Sequence, residues 1–173
     1  MNIDEVIRPI PKSNYTITVR AVDIDRSLSM LSEVVNLNPE YQRGHVWTLD
    51  QQTKFMESLI RGLIGRECLL IRFNRPNWSS DQKTDLPDEL QCVDGLQRLS
   101  AVKAYFDGQL HPFGLTLEQI EASAYKQRHN LHFQFHVYEI ASYVELIGFY
   151  LSLNTGGTVH SESEIQRVKD LLK

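Results

Sequence analysis

The stretch "LHFQFHVYEI", residues Leu131 to Ile140, alternates strictly between apolar and polar side chains. Leu131, Phe133, Phe135 and Val137 fall on one face, with His132 and His136 on the other. A period of two describes a strand with one buried face. Such a strand needs a sheet beside it and a layer of other elements over its apolar side. "RECLLIRF" (Arg66 to Phe73) has a continuous apolar centre instead, the pattern of a strand buried on both faces. "YTITVRAV" (Tyr15 to Val22) and the short "QCVDG" ending at Asp94 add further strands.

Helical signals lie between these strands. Thr48 and Gln51 form a capping box, after which Leu49, Gln52, Phe55, Met56, Leu59, Ile60 and Leu63 track one face. Leu96, Leu99, Val102, Tyr105 and Phe106 make a second stripe, stopped by Gly108. Shorter helices are expected over Ile24 to Val35, from Leu117 to about Lys126 behind a Thr116–Gln119 capping box, and from Ser142 and Glu145 to about Leu153. A last one starts at Ser161 and Glu164 and carries Ile165, Val168 and Leu172 on one side. The fold class is α+β, a small mixed β-sheet surrounded by helices. At 173 residues the chain reads as a single domain, 1–173, with residues 74–90 a polar loop insertion, either a hairpin-type connection or a flap.

Composition excludes several classes. The net charge of -4 argues against a general nucleic-acid coat. Cys68 and Cys92 lie in different apolar runs and read as reduced core residues, not a disulfide framework or a zinc site. No run reaches the length of a membrane span, and "MNIDEVIRPIPKSN" lacks the apolar core of a signal peptide, so a cytoplasmic address is expected. His132 and His136 read as solvated face residues, because no third ligand sits at a suitable spacing. There is no GxGxxG, Walker loop, HExxH or GxSxG.

Polar residues concentrate at tight turns. In "VDGLQR" a strand ends and a helix begins across Gly95. The first N–H groups of a helix have no intrahelical acceptor and carry the positive end of its dipole, so they favour an anion, commonly phosphate. Gly95 would let a ligand approach the backbone, and Arg98 in the first turn could add a charge-assisted grip. Asp94 would repel a phosphate if bare. It reads as an N-cap, a metal-contacting carboxylate, or a partner that orients Arg43 or Arg98. Taken alone, this stretch reads more readily as a capped helix start. In "YQRGHVW" Arg43 is a second arginine able to converge on the same anion, and Trp47 sits where a hydrophobic staple would. "NTGG" offers Asn154, Gly156 and Gly157 as an anion nest or a plain helix C-cap.

In this order, "NPEYQRGHVW", "CVDGLQRLSAVKAYFDG" and "FYLSLNTGGTVHSESEI" resemble the N-terminal domain of GmrSD-type restriction proteins, within the ParB/sulfiredoxin-like superfamily. The resemblance implies a nucleotide site, and it shifts the reading of "VDGLQR" from a capped helix towards a phosphate site. Gln42, Arg43 and Trp47 match its first motif, Asp94, Gly95, Gln97 and Arg98 its D-G-Q-Q-R motif, and Asn154, Gly156 and Gly157 its third. It implies a nucleoside triphosphate, with Mg²⁺ if hydrolysis occurs. Gln42, Arg43, Gly95, Arg98, Asn154, Gly156 and Gly157 would hold phosphates, and Asp94, Gln97 and Arg98 would carry catalysis. Asp94 would contact a metal or orient an arginine, and Gln97 would position the γ-phosphate or water. Tyr41, Trp47 and the 74–90 loop are the candidates for base contact. Leu96 departs from the motif, which has Gln there, and so separates binding from hydrolysis. The expected function is a nucleotide-binding sensor or regulator in DNA restriction or anti-phage defence, with DNA or a restriction-system protein as further partner. The alternative is a non-enzymatic interaction module, such as an inhibitor or subunit of a restriction system. DNA nicking ranks last, for want of a two-metal carboxylate cluster.

Overall fold

The computed structural model describes residues 9–42, 44, 46–65, 69–79, 83–155, 166–168, 170 and 171. The expected roles of Arg43, Gly156, Gly157 and Cys68, and the start of the last helix at Ser161 and Glu164, lie outside the described residues.

The fold is α+β, as the patterning requires. In chain order the elements are β1 (Tyr15–Arg20), α1 (Ile24–Leu31), β2 (Val35–Asn36), α2 (Leu49–Ile60), β3 (Leu70–Asn74), β4 (Leu90–Asp94), α3 (Leu96–Phe106), α4 (Leu117–Glu121), β5 (His132–Tyr138) and α5 (Tyr143–Thr155). The five strands form one sheet in the order β1-β5-β3-β4-β2. β1/β5 and β3/β4 are antiparallel, while β3/β5 and β2/β4 are parallel, so the sheet is mixed. No helix among the described residues is long and apolar enough to cross a membrane.

Two apolar clusters cover the sheet. The larger takes Ile71, Phe73, Cys92, Phe133, Phe135 and Val137 from the strands and Met56, Leu99, Val102 and Tyr105 from α2 and α3. Phe73 and Phe135 meet edge-on at its centre, 5.0 Å between ring centroids. The other takes Val93 and Tyr138 and packs them under Leu146, Ile147 and Tyr150 of α5. Cys92 and Val93, like Val137 and Tyr138, are sequence neighbours in strands, so the two clusters lie on opposite faces.

The strict alternation of β5 appears as expected, with Phe133, Phe135 and Val137 buried and Gln134 exposed. The strand buried on both faces is β4 rather than β3. In β3, Ile71 and Phe73 are fully buried while Leu70 and Arg72 are half-buried, because Arg72 faces a charged partner on the less covered side. Both capping boxes form, at Thr48–Gln51 and Thr116–Gln119. Leu49 and Leu63, at the two ends of the expected stripe, stay exposed. Helices α1 and α4 stop well short of Val35 and Lys126.

β3 and β4 are consecutive and pair antiparallel, so the polar stretch between them joins them as a hairpin-type connection. The described part is tied to the β5–α5 junction. The Asp85 carboxylate accepts from the N–H of Tyr143 at 2.7 Å, Thr84 Oγ1 donates to the Ala141 carbonyl at 2.7 Å, and the Glu139 carboxylate accepts from the Ser79 N–H at 3.0 Å. Asn74, fully buried at the end of β3, matches both backbone groups of Ile140. Its Nδ2 donates to the carbonyl at 3.0 Å and its Oδ1 accepts from the N–H at 2.8 Å. Asn74→Leu should leave both groups buried without partners, each costing about 1–3 kcal/mol. The expected outcome is a large drop in the urea midpoint with an unchanged denaturant slope.

Candidate functional site

The β4–α3 junction turns on Gly95. It is the N-cap of α3 and sits in the left-handed region at φ +99°. A Cβ there would lie 2.5 Å from Ile71 Cδ1 and 3.2 Å from the Leu70 carbonyl. Gly95 is therefore required by the backbone conformation and by β3, a reason within the protein itself, beside the expected approach of a ligand. Asp94 is not the N-cap. Its Oδ2 accepts from Arg72 Nη1 at 2.7 Å and from Arg98 Nη2 at 3.0 Å. All three side chains are less than a quarter exposed. Of the alternatives raised by the sequence, Asp94 orients Arg98, together with Arg72.

Two glutamines join the first motif to the second. Gln42 Nε2 donates to the carbonyls of Cys92 at 3.0 Å and Val93 at 2.8 Å, at the end of β4. Gln97 works in the other direction. Its Oε1 accepts from the N–H groups of Val46 and Trp47, both at 3.0 Å, and its Nε2 donates to the Gly44 carbonyl at 2.7 Å. The Gln97 carboxamide thus holds the loop, where a role in positioning water or a γ-phosphate was expected. Trp47 packs on Phe55 of α2 at 5.2 Å, and its carbonyl accepts from the buried Gln52. Arg167, near the end of the chain, donates to the carbonyls of Glu40, Tyr41 and Gln42 and holds the loop from outside.

These ties frame a cleft of about 340 Å³, lined by Gln42, Trp47, the Val93–Arg98 segment, and Tyr150, Leu153 and Asn154 of α5. Described residues from all three motifs therefore meet at the N-terminus of α3. Asn154 Nδ2 also donates to the Tyr150 carbonyl at 2.7 Å, one turn back in its own helix. Tyr41, expected as a base contact, does not line the cleft. It is buried against Tyr150, with its hydroxyl on Gln91 Oε1 at 3.2 Å, and burial raises its pKa well above the usual tyrosine value. Leu96, the departure from the motif, packs into the larger core. Cys92 lies beneath the turn, fully buried, and burial pushes its thiol pKa far up.

The donor set suits an anion better than a resident metal. Asp94, the one carboxylate among the described residues lining the cleft, is paired with two guanidinium groups. Among the described residues no group of three or more His, Cys, Asp or Glu could hold a metal ion. For the metal contact expected of Asp94, the described residues lining the cleft supply no second carboxylate, histidine or thiol.

A family model described as the GmrSD restriction endonuclease, N-terminal domain, matches residues 27–147. The chain belongs to this family. The matched span contains Gln42, Trp47 and the Asp94–Arg98 segment, and ends before Asn154. Membership places the protein in a restriction-system context. No curated protein and no solved structure matches the chain.

Sequence reasoning missed Arg72, Tyr150 and Leu153. Arg72 had a signal, since a lone arginine inside an apolar strand calls for a charged partner. Tyr150 and Leu153 looked like ordinary core positions of a helix, and only the packing of α5 brings them to the cleft.

Two outcomes follow. Gln97→Leu should lower stability by only about 1 kcal/mol, because water can replace its bonds to a partly exposed loop. Amide hydrogen exchange at Val46 and Trp47 should nevertheless accelerate strongly. His136 sits beside Arg72 in register, and burial, then the Arg72 charge, lower its pKa from 6.5. The unfolded chain therefore binds that proton more readily than the folded protein. Stability should fall as pH drops through the unfolded value towards the folded one. His136→Gln should remove that part of the loss, read from denaturant midpoints at about pH 7 and about pH 5.

Proposed function

We propose that the cleft binds a nucleoside triphosphate and that the protein acts as a nucleotide-responsive regulator within a restriction system. The observation that carries this reading is the convergence of the motifs on one helix N-terminus, with Arg98 in its first turn. The phosphates would meet the first-turn N–H groups, the helix dipole and the Arg98 guanidinium. Gln42 and Gln97 would position the loop that brings Trp47 to the wall, where its ring offers an aromatic surface to the base. A cleft of about 340 Å³ is at the lower end of the ligand-pocket range, which suits a polyphosphate tail with the base at the mouth.

Rapid hydrolysis does not fit the described groups. Asp94, the one carboxylate among the described residues lining the cleft, has its Oδ2 engaged by both Arg72 and Arg98. The Gln97 amide is occupied by the loop. The reading is therefore binding and sensing, with hydrolysis slow. Magnesium would enter with the nucleotide rather than reside on protein ligands.

The competing reading is a non-enzymatic interaction module that keeps the fold. The internal Arg72–Asp94–Arg98 pairing favours it, because each of the three side chains already has a protein partner. A thermal-shift screen with each nucleoside triphosphate and Mg²⁺ separates the two. Stabilisation by at least one triphosphate supports the sensor, and no shift with any supports the module. Arg98→Ala should abolish the calorimetric binding signal while the far-UV spectrum stays unchanged. Unchanged affinity in that variant would remove the cleft from consideration.

A further inference from the structure

We propose that Arg72 gives the cleft its capacity for anions, and that it does so through Asp94 without touching the ligand. The inference rests on the phosphate-binding reading above and deepens it by naming the positioning residue that sets the sign of the site.

A carboxylate in a phosphate cleft poses an electrostatic problem. Asp94 lines the cleft beside Arg98, and those two formal charges sum to zero. A neutral pair half-removed from water offers a polyphosphate little attraction. Arg72 changes the sum. It projects from β3 directly opposite Asp94 in the antiparallel β3/β4 pairing, and its Nη1 reaches the same Oδ2 that Arg98 holds. Counted over these three described side chains, two guanidinium groups on one carboxylate carry a net positive charge. All three side chains are half-buried, so solvent and salt screen that charge less than they would at the surface.

Arg72 is not itself among the residues lining the cleft. Its action is indirect. By sharing Oδ2 it draws on part of the Asp94 charge, so that carboxylate offsets less of the Arg98 charge. The neighbouring strand registers the same field. His136, the register partner of Arg72 on β5, is held below its usual pKa by burial and then by the Arg72 charge. Arg72 thus resolves the conflict between an acid and an anion site in the same turn.

The test uses inorganic tripolyphosphate, which isolates the phosphate grip from base recognition, titrated calorimetrically into the full chain. Arg72→Met should weaken binding about tenfold or more, the order expected for one lost charge in a partly buried site. Arg72→Lys should retain most of the affinity. Arg72→Met combined with Asp94→Asn should return to within about threefold of the wild type, because the net charge is restored. A purely structural Arg72 would give no such rescue, so a double variant as weak as Arg72→Met overturns the inference. Wild-type affinity in Arg72→Met overturns it as well. If Arg72→Met does not fold, Asp94→Asn decides: tighter binding supports the proposal, and weaker or unchanged binding overturns it. If the wild type binds neither tripolyphosphate nor any nucleoside triphosphate, the underlying phosphate reading fails. If the wild type binds and Arg98→Ala does not, that reading survives whatever the outcome at Arg72.

Discussion

The site depends on one short backbone turn and on the two side-chain amides that cross it. Gly95 lets β4 end and α3 begin within a single residue, against an Ile71 side chain that leaves no room for a Cβ. Gln42 holds the last carbonyls of β4 from the loop side, and Gln97 holds the loop from the helix side. Neither motif is complete without the other. Remove Gln97 and the segment carrying Trp47 loses its anchor to α3. Remove Gln42 and two carbonyls at the strand end lose a donor.

The electrostatics follow from the same junction. Because β4 ends at Asp94, its carboxylate lies between a strand arginine and a first-turn arginine. Register and helix pitch impose that geometry. Arg72 is opposite Asp94 across the antiparallel pair, and Arg98 is one helical turn beyond it. The result is a charged triad at a helix N-terminus, beside a cleft walled by Trp47 and α5.

Much of the architecture was legible locally. Alternation in β5, the capping boxes at Thr48 and Thr116, and the stripe of α3 depend on neighbours within a few residues, and all appear. Errors came where distant partners decide. Leu49 and Leu63 have the helical spacing of core residues yet remain exposed, because spacing along one helix does not say which turns a neighbouring layer covers. Tyr41 was placed beside the site by its motif, but its ring is drawn into the cluster under α5. β3 read as apolar on both faces, although Arg72 gives one of them a charge.

The sequence by itself determined the fold class, the strand-to-helix turn at Gly95 and the presence of an arginine in the first helical turn, because these follow from residue type and short spacing. It also carried the family resemblance, since motif order survives without coordinates. Tertiary structure alone decided what Asp94 and Gln97 do. A carboxylate can cap, bind metal or pair with arginine, and a carboxamide can face a ligand or a loop. Which of these occurs depends on partners 22 residues away for Asp94 and 50 or more for Gln97. Only the packing of the sheet, α3 and the loop brings those partners within hydrogen-bonding distance.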